Sequence, residues 1–284
     1  MNYLNYIKNK WNNHIGFTIH VLLLLLGVYI FLIVEDHYLW KVPVIFVGLL
    51  SWFLLGQKTK HPIIWITFFI LLLIDLFHSY FWVANHHFMM LLMVLSVILY
   101  MYHNRKDFLL KNIQLLLVVV VMTSTFQKLT SSQFMSGDFY YFMINSGSLF
   151  RFFINFFPES LEVVHANRES LSTLRATNPN LAQSIVFKDV VPDLGTISLV
   201  YAWITIAIEF LVAFSVLLKP KNVLTHLLLV VMIIGILCAR FETGFMGLLA
   251  ICGLFLCDNL KLRFLYAAII VACVALMITK IGYH

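Results

Sequence analysis

The chain has 284 residues, of which 62% are hydrophobic and only 11% are charged, and its mean hydropathy is +0.93. Soluble domains average roughly 45–50% apolar and about 25% charged residues, so this composition excludes a soluble globular protein and indicates an integral membrane protein. The formal net charge of +6 does not indicate a nucleic-acid partner, because the basic residues lie in short loops between apolar segments, where they orient a membrane protein.

Nine apolar segments are predicted to cross the membrane, since a spanning helix needs roughly 20 mostly apolar residues. They lie at residues 15–34, 39–56, 62–82, 86–102, 109–127, 195–218, 223–239, 241–257 and 263–281. The sequence therefore predicts an all-α, polytopic membrane helix bundle of about nine spans, which forms a single transmembrane domain over residues 1–284.

Lysine and arginine residues are distributed unevenly over the loops of this predicted bundle. With a cytoplasmic N-terminus, the short outer segments carry only Lys41, Arg240 and Lys280. The inner segments then carry eleven basic residues: Lys8, Lys10, Lys58, Lys60, Arg105, Lys106, Lys111, Lys219, Lys221, Lys261 and Arg263. This bias follows the positive-inside rule, so we expect a multi-pass protein with its N-terminus in the cytoplasm.

The segment 128–194 is the long interruption between predicted spans. Its first part, DFYYFMINSGSLFRFFINFF, is aromatic but broken by Ser-Gly-Ser, which predicts an interfacial or re-entrant helix pair. The following polar stretch has helical spacing, with an apolar face made by Leu161, Val164, Leu171 and Leu174. We expect an interfacial, extracytoplasmic insertion that packs down on the membrane domain and caps its outer side.

Polar residues from several spans are predicted to gather at the outer membrane face, under this cap. Ionisable side chains within spans are costly and tend to face a cavity or a partner. The candidates for binding a substrate are Asp75, His78, Asn85, His86, His87, Gln127, Lys128, Arg240 and Glu242. A metal held by Asp75, His78 and His86 is the alternative, but no motif such as HExxH supports it, and we predict no metal.

Lys128 follows a long apolar run, in the stretch FQKLTSSQFMSGD. One interpretation is an interfacial anchor, because lysines near helix ends usually extend toward water. The other is a general base, since a lysine in a dry cavity loses its proton more readily. Many residues between Thr123 and Gln133 are polar, which favours Lys128 as a general base, because an interfacial anchor needs no polar surroundings.

Glu209 lies deep in the sixth predicted span, some fourteen residues from its outer end. A carboxylate at that depth is expensive unless it is paired or protonated. The sequence leaves open a structural hydrogen-bonding role and a functional one. The four cysteines all lie in apolar runs and have no zinc-binding spacing, so they are predicted to be small buried hydrophobic residues.

Two of these stretches carry a family resemblance. FQKLTSSQFMSGD resembles the Lys-Leu stretch of the vitamin K-dependent gamma-carboxylases and their bacterial relatives, the HTTM-domain proteins. SYFWVANHHFMMLLMVLSVIL resembles the Asn-His-aromatic motif of the same family, at the outer start of a helix. The resemblance covers about residues 10–260, and only these two motifs are specific.

The resemblance implies a quinone-dependent membrane enzyme. Lys128 would be the base that deprotonates a reduced, vitamin K-like quinone, and His86 would assist it, with Asn85 beside it. The printed sequence ends at His284, without the large soluble domain that binds a propeptide in carboxylases. We therefore expect a reaction other than the carboxylation of protein glutamate.

Two hypotheses on function follow from these observations. The first is a membrane enzyme that acts on a quinone-like or lipid substrate, which enters from the bilayer and is deprotonated by Lys128. The second is a non-catalytic lipid- or quinone-binding subunit of a partner complex, with the protein partner at the outer face. Both imply membrane lipid and an isoprenoid quinone as partners, and the resemblance implies a bacterial inner membrane.

Overall fold

The computed structural model describes residues 14–33, 46, 62–78, 85–177 and 184–279, and within these ranges the chain forms helices and no strand. The helices of this part of the chain are α1 His14–Ile33, α2 Ile63–His78, α3 Asn85–His103, α4 Lys106–Thr130, α5 Ser132–Met135, α6 Asp138–Asn145, α7 Arg151–Ile154, α8 Pro158–Ala176, α9 Leu194–Leu218, α10 Val223–Arg240, α11 Thr243–Leu256 and α12 Leu260–Ile278.

The predicted all-α class is confirmed for the described residues, and eight of the predicted spans coincide with α1–α4 and α9–α12. The predicted span 39–56 lies outside the described residues, apart from Phe46. Five helices are long and apolar enough to cross a membrane, namely α4, α9, α10, α12 and residues His86–His103 of α3. The described residues thus support five crossings by length and composition.

Three further apolar stretches of the described chain are shorter: His14–Tyr29, Ile63–Phe77 and Thr243–Leu256. At about 1.5 Å per residue, the 14 residues of α11 cover roughly 21 Å, less than the ~30 Å hydrocarbon core of a bilayer. The apolar windows of the sequence therefore locate these helices correctly, and the two that are shorter than a spanning helix are α2, with 16 residues, and α11, with 14.

The chain divides into two compact units. The first consists of residues 1–121, 212–233 and 242–284, and the second of residues 122–211 and 234–241. Helices α4, α9 and α10 contribute residues to both units.

Helix α11 forms the core of the first unit, where it packs against α1, α3 and α12. From Met246 to Leu256 every one of its side chains is buried. A helix that is apolar all round lies in a protein core or in a membrane, and here neighbouring helices cover it. Its glycines permit close packing: a Cβ at Gly244 would lie 3.2 Å from the Tyr29 ring, and one at Gly247 would lie 3.1 Å from Leu25.

A buried polar pair joins α10 to α12 in the same unit. His226 Nδ1 and the Tyr266 hydroxyl lie 3.0 Å apart, and the Tyr266 hydroxyl also donates to the carbonyl of His226 at 3.2 Å. The Tyr266 ring lies directly on Gly253, where an added Cβ would come within 2.4 Å of it. The absence of a side chain at Gly253 therefore makes room for this pair.

The second unit is built from the end of α4, the insertion, the first part of α9 and the end of α10. Its buried core holds residues from α6, the loop after it, α9 and α10: Tyr140, Ile144, Leu149, Leu194, Ala202 and Ala239. The predicted break at Ser-Gly-Ser is confirmed, since α6 ends at Asn145 and Gly147 has a φ of +66°. Positive φ values suit glycine because it has no Cβ.

Helix α8 confirms the helical prediction for the polar half of the insertion. Val164 is buried on it, and Leu161, Leu171 and Leu174 are half-buried, as their spacing predicts. The sequence analysis missed Asn167, which is also buried and donates to the carbonyls of Asn145 and Lys188 at 3.1 and 2.9 Å.

Arg168 completes this contact by donating to the carbonyls of Ser146 and Gly147, at 2.7 and 2.8 Å. Carbonyls at the end of a helix have no partner within it, and Arg168 supplies one for those after α6. The contacts of Asn167 and Arg168 thus hold α8 against the first half of the insertion. Its place as an outer cap on the membrane domain stays a prediction.

Candidate functional site

Lys128 lies in the last turn of α4, two residues before that helix ends at Thr130. The helix begins with Lys106 and Asp107, continues through a long apolar middle and ends in the polar stretch MTSTFQKLT. Ser124 is four residues before Lys128, so both side chains lie on one face of the helix. Lys128 Nζ donates to Ser124 Oγ at 3.0 Å.

Glu209 is the carboxylate that faces this lysine. Lys128 Nζ forms an ion pair with Glu209 Oε1, and Ser124 Oγ donates to the other carboxylate oxygen, Oε2, at 3.2 Å. The three side chains form a closed network that joins α4 to α9 within the second unit. We call these residues, Ser124, Lys128 and Glu209, the lysine–glutamate site.

The two charged groups of this site differ in access. The side chain of Glu209 is 8% exposed, while that of Lys128 is 15% exposed. Both are shielded well enough for the attraction between them to exceed that of a surface ion pair. Of the two side chains, that of Lys128 is therefore the more accessible.

A second polar contact lies one turn before Glu209 on the same face of α9. Thr205 Oγ1 is 2.8 Å from the carbonyls of Tyr201 and Ala202, and it lies 3.1 Å from the Tyr140 hydroxyl. Because Thr205 has one hydroxyl hydrogen and directs it to its own helix, Tyr140 is the donor in the contact between them. This bond joins α6 of the insertion to α9.

The structure brings Glu209 to the level of Lys128, which counting residues along each predicted span does not suggest. Glu209 lies fifteen residues after α9 begins at Leu194, yet it pairs with a residue two positions from the end of α4. The first turns of α9 therefore extend beyond the end of α4, and there they pack on the insertion: Gly137 lies directly against the backbone of Leu199. Helix ends in this unit are not level.

His86, the predicted helper, has a partner of its own in the first unit. Its Nε2 lies 2.7 Å from the Tyr29 hydroxyl, and the two rings meet edge to face at 5.6 Å. The ring of Phe245 lies 6.3 Å from it. His86 is half-buried, and its aromatic neighbours Tyr29 and Phe245 come from α1 and α11.

The neighbouring His87 is buried, and its Nε2 lies 3.2 Å from the carbonyl of Leu72 on α2. This bond fixes α3 against α2. Adjacent helical residues point about 100° apart, which agrees with the different partners of His86 and His87.

The remaining predicted residues occupy helix ends or exposed faces. Asp75 and His78 lie in the last turn of α2, and Asn85 is the first residue of α3. Gln127 and Arg240 are exposed, and Glu242 immediately precedes α11. Gln127, Lys128 and Arg240 belong to the second unit, and the other predicted residues to the first. Their gathering at one membrane face stays a prediction.

No group of three His, Cys, Asp or Glu side chains within the described ranges is arranged to hold a metal ion. The second unit contains a cavity of about 380 Å³ beside the starts of α6 and α9, lined by Ser136, Gly137, Asp138, Tyr141, Gly195, Thr196 and Leu199. Neither Lys128 nor Glu209 lines it, so this cavity does not contain the lysine–glutamate site.

The sequence analysis identified Lys128 but did not assign Glu209 or Ser124 to it. The signal was present, because a lone carboxylate in an apolar helix requires a partner. Comparison of the chain with protein families, with curated proteins and with solved structures finds no match. The contacts and exposures of the site residues are therefore the basis on which function is inferred.

Proposed function

We propose that this chain is a multi-pass membrane enzyme that removes a proton from a quinol-like or lipid substrate at the lysine–glutamate site. Lys128 is the general base, and Glu209 holds the proton that Lys128 must first release. The proposal includes about nine spans, a cytoplasmic N-terminus and a bacterial inner membrane. The resemblance to the HTTM-domain and gamma-carboxylase family supports it, as do the five long apolar helices.

One observation carries the chemistry: the amine of Lys128 contacts a carboxylate that is almost fully buried. A protonated lysine cannot act as a base. Within the pair, the proton can move from Nζ to Glu209 Oε1, which leaves a neutral amine beside a neutral carboxylic acid. This transfer removes both charges from a shielded site and leaves its net charge unchanged.

The neutral amine then takes the proton of a substrate hydroxyl. The O–H bond of the hydroquinone breaks, an N–H bond forms at Lys128 Nζ, and the electron pair stays on the substrate oxygen as a quinolate. The site now carries one positive charge, on Lys128, which attracts the quinolate. No electron leaves the substrate in this step, so it needs no oxidant.

The contacts of the site support a separate task for each side chain. Lys128 is the more exposed member of the pair and meets the substrate. Glu209 lies behind it, and Ser124 contacts both groups, at 3.0 Å from Nζ and 3.2 Å from Oε2. Ser124 is therefore a positioning residue, whose hydroxyl keeps the carboxylate turned toward the lysine.

The test is the protonation state of a bound hydroquinone, measured by its absorption spectrum under argon. The probe is reduced menadione, and the protein is the full chain in lipid nanodiscs. A hydroquinone absorbs at longer wavelength once deprotonated, so the wild-type protein should produce the quinolate band at neutral pH. Lys128→Met should lose the band, and Ser124→Ala should retain much of it.

The non-catalytic hypothesis makes a different prediction in the same experiment. A binding subunit would bind the hydroquinone but leave its spectrum neutral, in the wild type and in Lys128→Met alike. Mass spectrometry of lipids that copurify with the protein measures binding independently. A copurified isoprenoid quinone without a quinolate band would contradict the enzyme and support the binding subunit.

A further inference from the structure

Four exposed phenylalanines cluster at the short helix α7, outside the long apolar helices. Their side chains are 42–67% exposed, and the Phe152 ring lies 5.9 Å from that of Phe153 and 5.5 Å from that of Phe156. The inward side of the same turn is filled by Ile154, which is buried. We call this cluster the phenylalanine wedge; its members are Phe152, Phe153, Phe156 and Phe157.

The wedge is attached to the end of a helix that is long and apolar enough to cross a membrane. The backbone N–H of Phe150 donates to the carbonyl of Ala239, in the last turn of α10, at 2.8 Å. The Phe152 ring lies 5.9 Å from the ring of Phe241, the first residue after α10. These contacts are all within the second unit, and they place the wedge at the end of a helix that is long and apolar enough to cross a membrane.

The wedge has a basic residue directly before it. The exposed Arg151 begins α7 and precedes the phenylalanines, and the exposed Glu159 follows them after Pro158. Apolar side chains next to a basic residue are typical of segments that lie in the headgroup region of a bilayer. The exposed side of α8 is different, since it carries Glu162, Glu169 and Arg175 among other polar residues.

We propose that the phenylalanine wedge inserts into the membrane leaflet next to the end of α10 and anchors the insertion to the bilayer. The occupant of this apolar surface is lipid, because the surface continues from the end of a membrane helix. This proposal rests on the membrane placement in the proposed function and is independent of the chemistry at Lys128.

Spin labels test the depth of the wedge in the full chain in lipid nanodiscs. Labels are placed at Phe153→Cys and Phe156→Cys. The protein also carries Cys238→Ala, because Cys238 is half-buried and could be labelled, whereas the other three native cysteines are buried. Val231→Cys, on an exposed position in the middle of α10, is the lipid reference, and Glu169→Cys, on the exposed side of α8, is the water reference. The measured quantity is the ratio of each label's accessibility to oxygen to its accessibility to a water-soluble nickel complex, called the oxygen-to-nickel ratio.

The wedge labels should have an oxygen-to-nickel ratio several-fold above that of the Glu169 label and below that of the Val231 label. Equal ratios at the wedge and at Glu169, with a high ratio at Val231, would overturn the wedge while leaving the membrane placement intact. A low ratio at Val231 as well would contradict the membrane placement itself.

A conservative variant guards against disturbance by the labels. Phe156→Trp keeps an aromatic ring at the surface, and the emission that it adds to that of the six native tryptophans should be quenched by lipids brominated near the headgroup end of the acyl chain. An unquenched emission that gains exposure to aqueous iodide would overturn the proposal, and would leave the wedge free for a protein partner instead.

Discussion

Lys128 and Glu209 are 81 residues apart in the sequence, yet their side chains form a shielded ion pair that joins α4 to α9. The insertion lies between them, so its two ends are held together by charge as well as by the core around Tyr140 and Leu194. Ser124 contacts both charged groups and fixes their geometry. The pair is thus a structural link and the proposed chemical centre.

Removing one member of this pair should destabilise the protein strongly. Lys128→Met leaves a shielded carboxylate without its counter-charge, which costs roughly 3–5 kcal/mol when a buried pair is broken. The double variant Lys128→Met with Glu209→Leu should recover most of that loss, because neither charge remains. Unfolding in SDS titrations of the detergent-solubilised protein measures the difference.

Lys221 and Asp258 provide a matched control for that experiment. They also form an ion pair, at 3.3 Å, but their side chains are 66% and 57% exposed. An exposed pair contributes about 0–1 kcal/mol, so Lys221→Met should change the free energy of unfolding by less than about 1 kcal/mol. A similar loss in both variants would mean that the Lys128 pair is no stronger than a surface pair.

Exchanging Lys128 and Glu209 tests the structural role of their ion pair separately from the proposed role of Lys128 as a base. The variant Lys128→Glu with Glu209→Lys restores an ion pair, and should therefore unfold closer to the wild type than Lys128→Met does. It should not restore the quinolate band of reduced menadione, because its lysine now occupies the less exposed position. A restored band would show that either position can serve as the base, against the assigned roles.

Gly253→Ala should destabilise the first unit. The added Cβ would lie 2.4 Å from two carbons of the Tyr266 ring, so the ring must move away from His226. Overpacking of a tight core costs typically about 1–3 kcal/mol, and a lower thermal unfolding temperature measures it. Gly235→Ala is the control, since nothing lies within 4 Å of its added Cβ, and it should be neutral or slightly stabilising.

Arg168→Gln should loosen the turn after α6. It removes two hydrogen bonds from a guanidinium to the carbonyls of Ser146 and Gly147, each worth about 1.5–3 kcal/mol when the donor is charged. Hydrogen exchange of the amides from 143 to 150 should become at least tenfold faster. Arg175→Gln, at an exposed position on the same helix, should leave this exchange rate unchanged.

Tyr141 should make the stability of the insertion fall at alkaline pH. The Tyr141 hydroxyl donates to Asp189 Oδ1 at 2.5 Å, and this bond, with smaller effects of burial and of the Asp189 charge, raises the pKa of Tyr141 above 10.0. With a raised folded-state pKa, the stabilisation is fully present below the unfolded-state pKa and is lost as pH rises through the folded-state value.

The measurement for Tyr141 is the pH dependence of the unfolding temperature between pH 9 and pH 12, together with tyrosinate absorbance. Tyr141→Phe should remove this part of the alkaline decline, and Asp189→Asn should return the titration toward that of an ordinary tyrosine. An identical decline in the wild type and Tyr141→Phe would exclude the bond as its source.

Sequence periodicity located the long helices well, because continuous apolar runs and flanking polar residues are strong local signals. The helical face of α8 was also correct at Leu161, Val164, Leu171 and Leu174. Asn167 on the same face was missed, since its burial depends on backbone groups of Asn145 and Lys188. Hydropathy carries no information about such distant hydrogen-bond partners.

At the candidate site, the relative levels of two residues on different helices could not be predicted by counting residues along each helix. Counting residues from the predicted span ends put Glu209 far from the level of Lys128, because it assumes that helix ends coincide at the membrane face. The first turns of α9 instead pack on the insertion, where Gly137 meets Leu199 and Tyr140 contacts Thr205. Only the packing of the insertion reveals that shift.

The separation of Lys128 from Glu209 also orders events during synthesis. At about 5–20 residues per second, the ribosome adds the 81 residues between them in roughly 4–16 s. Helix α4 with its lysine is therefore synthesised well before α9 exists. When Glu209 emerges, its cationic partner is already part of the chain, so the carboxylate can be paired as α9 forms.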